Sequence, residues 1–181
     1  MTSKANKMLG LLRRNLSVGS HILRQQSYQS LVRPTLEYSS PVWDPQNENN
    51  IFKLERIQRR AARYICQRFH NTSSVTSMID QLGWDSLKKR REHAKVTCMY
   101  KITHGLVSLN PEKYMVKRHN RHSRNFNSHS YRQISTTKTF HQSSFFPSTI
   151  VLWNRLPEEA VTAPNLENFK MLISRPAGAA N

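Results

Sequence analysis

The chain is 181 residues long and carries 28 Lys+Arg against 11 Asp+Glu, a formal net charge of +17 with a pI near 10.6. Such an imbalance opposes compaction unless a polyanion neutralises it, so nucleic acid is the first partner to expect and an anionic membrane surface the second. Two cysteines, Cys66 and Cys98, exclude a disulfide scaffold, and no apolar run approaches the roughly 20 residues that span a bilayer.

Ser3 is placed to cap a first helix with Ala5, Met8, Leu9 and Leu12 on one face, ending near Asn15. The apolar stretch from Met8 to Leu12 stops at Arg13 and is too short for a signal-peptide core. The first 36 residues lack acids and imitate a mitochondrial presequence, but they run on through Arg33-Pro34 and Trp43 as a globular chain does. Ser20 opens a second helix, His21 to Leu31, with a kink or restart forced by Pro34. Thr35 to Trp43 reads as another turn or two closed by Pro41 and Pro45.

Residues 51–69 form the clearest element. At about 100° per residue, Ile51, Leu54, Ile57, Ala61, Tyr64, Ile65 and Phe69 fall on one side of a helix. Lys53, Arg56, Arg59, Arg60 and Arg63 fall on the other, a rod of positive charge opposite a core stripe. Beyond it, Ser74 caps Val75 to Leu82 and Gly83 terminates it. Asp85 or Ser86 starts a further helix to about His104, with Gly105 as its stop. Leu87, Ala94, Cys98 and Ile102 share a face of that helix, Arg91 intrudes on it and Val96 points away.

From Lys117 to Lys138 the sequence is rich in Arg, His, Ser and Asn and poor in aliphatics, too little apolar area to offset chain entropy. It reads as a mobile basic loop, with a short hairpin around Tyr131–Ile134 and Lys138–Phe140. Order returns at Ser143–Pro147. A helix then carries Ile150, Val151 and Trp153, and Pro164-Asn165 opens a last one with Leu166, Phe169, Leu172 and Ile173. The segments are thus 1–116, helical; 117–142, a basic mobile loop; 143–174, a C-terminal helical segment; and 175–181, a frayed tail. The fold class is mainly α, an irregular helical bundle.

Three basic groups are candidate nucleic-acid contacts. The stripe Lys53, Arg56, Arg59, Arg60 and Arg63 ranks first, because Glu55 is its one acid and a solubilising face would carry spaced Glu–Lys pairs. Its guanidinium groups also suit bidentate contact with phosphate. Lys88, Lys89, Arg90 and Arg91 form a second cluster, which also has the composition of a nuclear-localisation run. Arg118, Arg121 and Arg124 lie in the third, within an acid-free stretch between Glu112 and Glu158. Each group has the alternative of a solvated surface. Trp43, Trp84 and Trp153 sit among aliphatics, where core packing is favoured over base stacking.

Cys66 with His70, and His119 with His122, are spaced for a shared face, yet no CxxC or HxxxH exists to complete a zinc site, so no metal or cofactor is expected. Asp44, Asp80 and Asp85 do not cluster as two-metal chemistry requires, and phosphate-loop, nucleophile-elbow and HExxH motifs are absent. No catalytic residue is expected.

The wording itself carries a resemblance. Leu31-Val-Arg-Pro-Thr-Leu-Glu-Tyr38 followed by Pro41-Val-Trp-Asp-Pro45 resembles the region after the polymerase palm in jockey-like non-LTR retrotransposon reverse transcriptases. Leu54-Glu-Arg-Ile-Gln-Arg-Arg-Ala-Ala-Arg63 is similar to that family's downstream helix, as are residues 74–84 with Ser86-Leu87 and Arg90-Arg91. Ser144-Phe-Phe-Pro-Ser-Thr149, Trp153-Asn154 and Leu156-Pro157 resemble its closing motif. The likeness spans roughly Lys4 to Ser174.

It implies a parent RNA-directed DNA polymerase with an endonuclease, of which residues 1–116 would be thumb-like. The family's catalytic aspartates lie upstream of the matched part and have no counterpart here, and the initiating Met beside the matched block implies a truncated copy or a fragmentary gene model. The expectation is a non-catalytic fragment that binds RNA or an RNA–DNA hybrid, with the missing polymerase domain as a second partner and no membrane. It would be intracellular, nuclear or cytoplasmic, and not secreted. The alternative is a helical scaffold or protein-interaction domain without nucleic-acid activity.

Overall fold

The computed structural model describes residues 1–118 and 127–175. The protein is mainly helical, as its composition and periodicity predict, with no named strand among the described residues. No helix among them is long and apolar enough to cross a membrane. The chain divides into two compact units, residues 1–40 with 45–90 and residues 41–44 with 91–181. The helical region expected over 1–116 is therefore shared between them.

In the first unit α1 covers Thr2–Asn15, and Met1 rather than Ser3 occupies its N-cap, with no side-chain cap bond. Helix α2 (His21–Ser27) opens on Ser20, whose hydroxyl accepts the Leu23 N–H. A π turn over Tyr28–Val32 follows, then α3, Arg33–Glu37. Pro34 has no N–H to donate to the carbonyl four residues back and its ring crowds that carbonyl. The chain answers by widening, with Arg33 N–H reaching the Tyr28 carbonyl instead. Pro41 does not close a helix as expected: it lies in the short α4, Ser40–Trp43, where its fixed φ suits a first turn.

Helix α5 runs Glu48–Cys66, capped by Asn47, and buries Leu54, Ile57, Ala61, Ala62, Tyr64 and Ile65. Its C-cap Gln67 is left-handed at φ 53°, so Phe69 lies past the helix end; that ring is exposed beneath Arg13 rather than packed in the apolar stripe. Tyr64 Oη donates to the Leu12 carbonyl at 3.1 Å and ties α5 to α1. Helix α6 (Val75–Gln81) has the predicted Ser74 cap and ends at Gly83, whose φ of +64° favours glycine. Trp84 stacks on the buried Tyr28 at 4.8 Å. Each large aliphatic of this core contributes about 1.5–3 kcal/mol of burial.

Helix α7 covers Leu87–Thr103, and Gly105 at φ +66° follows it. In the second unit its buried residues are Arg91, Lys95, Val96, Met99, Tyr100 and Ile102, so Val96 faces the core and not away from it. A 3-10 turn at Pro111–Lys113 and the short helices α8 (Thr139–Gln142), α9 (Phe145–Trp153), α10 (Glu158–Val161) and α11 (Leu166–Ser174) complete the order. Their core centres on Tyr100, Ile150, Trp153, Val161 and Phe169.

The segment from 117 onward is corrected in its described part. Residues 127–131 are not a loose loop: Asn127 Nδ2 donates to the carbonyls of Trp153 and Leu156, and Trp153 Nε1 donates to the His129 carbonyl. Asn154 clasps the Tyr131 backbone through both ends of its carboxamide. The expected hairpin is also absent. Tyr131 forms an isolated antiparallel bridge with Lys117, and residues 139–142 are helical. The polar side chains that looked unable to build a core instead satisfy backbone groups at the end of α9. The tail from 176 lies outside the described residues.

Candidate nucleic-acid interface

Burial of one stripe of α5 turns the other outward. Lys53, Arg56, Arg59 and Arg60 are exposed and Arg63 is half-buried. Among the described residues none of the five forms an ion pair with a carboxylate. The one polar side-chain contact is Arg60 Nη1 donating to Asn6 Oδ1 at 3.2 Å. Glu55, the acid within the stripe's span, is turned elsewhere: its Oε1 accepts the Lys88 backbone N–H at 2.8 Å and caps α7 alongside Ser86. Arg59 lines a cleft of about 410 Å³ with Glu55 and Asp80, but neither acid forms an ion pair with the stripe. One side chain on it escaped the sequence reading. Phe52 precedes Arg56 by four residues and is 61% exposed; its position relative to Arg56 was the available signal.

The second cluster behaves differently: Lys89 and Arg90 stay partly exposed but are paired with acids, and only Arg91 is withdrawn from the surface, which corrects its expected role. A helix N-terminus repels cations, and these are neutralised by acids. Lys89 Nζ meets Asp85 at 2.7 Å. Arg90 grips Glu37 through Nε and Nη2, the latter at 2.9 Å from Oε2, and this hydrogen bonding holds its guanidinium pKa above the ordinary value. Only the Lys88 side chain is exposed without such a partner.

In the second unit Arg91 is 1% exposed, its Nε 2.7 Å from Asp44 Oδ1, while Lys95 Nζ lies 2.7 Å from Asp44 Oδ2. One carboxylate thus serves two buried cations, and Arg91 Nη1 and Nη2 have no hydrogen-bond partner. Such a guanidinium is part of the interior.

Of the third group, Arg118 is exposed and lines a cleft of about 690 Å³ with Lys117, Arg132, Tyr131 and Asn154. Arg121 and Arg124 lie outside the described residues, as do His119 and His122. Of the tryptophans, Trp153 is wholly buried and Trp84 is half-buried on Tyr28. No group of three or more His, Cys, Asp or Glu among the described residues could hold a metal ion. Burial raises the Cys66 and Cys98 thiols above their ordinary pKa, which disfavours the reactive thiolate.

No family model, curated protein or solved structure matches this chain.

Proposed function

We propose that this chain is a non-catalytic, C-terminal portion of a retrotransposon RNA-directed DNA polymerase that binds the backbone of RNA or an RNA–DNA hybrid through α5. The observation that supports it is the exposure of Lys53, Arg56, Arg59 and Arg60 on one helix face with no carboxylate paired to them among the described residues. Length fits as well: ten residues at about 1.5 Å each make ~15 Å, comparable to the axial rise of four to five phosphates at about 3.4 Å along one strand of a DNA duplex. Contacts of this kind are sequence-tolerant, because phosphates carry no base identity. The resemblance adds the parent class, and the missing polymerase domain is the second partner in this reading.

Reversing Arg56, Arg59 and Arg63 to Glu together tests it. Binding to a labelled RNA or hybrid should fall by at least an order of magnitude. The same charge change made at Lys138, Arg155 and Lys170, all exposed in the second unit, should cost far less. Equal losses from the two triples would refute the assignment to α5. A helical scaffold is the second reading, favoured by the pairing of Lys89 and Arg90 with acids of this chain; the absence of any nucleic-acid retention at low salt would support it.

A further inference from the structure

A large apolar ring inside a charged helix face sets a flat apolar surface beside cations, and covering it releases water. Phe52 is such a ring. It is the one large hydrophobic residue of α5 among the exposed large hydrophobics, and no other ring or cation stacks on it among the described residues. Phe69, Tyr114 and Phe140 are also exposed, but each has a Lys or Arg of this chain over its face. At about 100° per residue, Phe52 falls between Arg59 and Arg63 on the wheel, within the arc of positive charge and not at its apolar margin.

The occupant complementary to both features is a polyanion that also offers flat apolar faces. A duplex offers phosphates outside and keeps its bases stacked within. A single strand offers both, with bases free to lie on an aromatic ring while the flanking phosphates meet cations. Resting on the function proposed above, we infer that α5 engages an unpaired stretch of nucleic acid, with one base stacked on Phe52 and adjacent phosphates held by Arg56 and Arg59.

Phosphate contact and stacking leave different marks. Phosphate contacts set the steepness of salt dependence, whereas stacking releases no counterions. The test uses the full chain, a short single-stranded RNA and the blunt duplex of the same length, followed by fluorescence anisotropy across a salt series. Phe52→Ala should weaken single-strand binding by about 5- to 150-fold, the range for loss of one stacked base. Its salt slope should match wild type and its duplex affinity should stay within about twofold.

Phe52→Tyr should restore single-strand affinity, and Phe52→Leu, apolar but without a π face, should not. An unchanged single-strand affinity in Phe52→Ala, an equal loss on both nucleic acids, or full rescue by Leu would overturn the stacking role while leaving the phosphate-binding reading of α5 intact. Failure of the wild-type chain to bind either nucleic acid would remove both.

Discussion

The Glu55 carboxylate accepts the backbone N–H of Lys88 at 2.8 Å. One contact has two consequences: it satisfies an orphan donor at the start of α7, and it commits the carboxylate of the acid nearest the basic stripe to a backbone N–H instead of an ion pair with an arginine. Glu55→Ala should cost about 1–2 kcal/mol, the range for a lost helix-terminal hydrogen bond to a charged acceptor. Thermal melting checks this. Glu55→Gln, which keeps an acceptor oxygen, should recover most of the loss.

Asp44 holds two buried cations. Asp44→Ala leaves Arg91 and Lys95 in the interior without their carboxylate. Breaking such a pair from one side costs about 3–5 kcal/mol, a large fraction of the stability of a domain of this size. Denaturant unfolding should show that loss, whereas Lys170→Ala, which breaks the exposed Glu167 pair, should change stability by less than about 1 kcal/mol.

Asn127 closes the end of α9 through the carbonyls of Trp153 and Leu156. Asn127→Ala strands buried acceptors and should destabilise by about 1–3 kcal/mol. A truly loose segment would tolerate the change, so urea denaturation of this variant separates the two descriptions.

His129 gives the chain a pH dependence. Burial first, and the neighbouring His104 second, hold its imidazole below the ordinary 6.5, with Lys117 acting the same way and Glu158 opposing. The unfolded chain then takes up the proton more readily than the folded one, so stability is retained above about pH 6.5 and falls as pH drops below that value. Melting temperatures at pH 7.5 and 5.5 should differ more for wild type than for His129→Gln. Equal differences would show that His129 is not the group responsible.

Much of the fold was legible because its signals are local. The Ser20 and Ser74 caps, Gly83 and Gly105 as stops, and the two-sided α5 each depend on neighbours within a turn or two. What stayed illegible depends on distant partners. Nothing near Arg90 or Arg91 in sequence announces Glu37 or Asp44, so a uniform basic run conceals two arginines tied to distant acids, one of them, Arg91, in the interior. Nothing near Asn127 announces the end of α9, so a polar stretch looked mobile. Within α5 the charges were legible and Phe52 was not, since sorting residues by polarity sets an exposed aromatic aside.

The salt dependence of wild-type binding tests the central claim most directly. Affinity for a single-stranded RNA should be measured at several salt concentrations and plotted as log K against log salt. The four exposed cations of α5, each meeting one phosphate, predict a slope of about −3, at roughly 0.7 per phosphate for a single strand. A slope near zero, or no binding at the lowest salt, would contradict it.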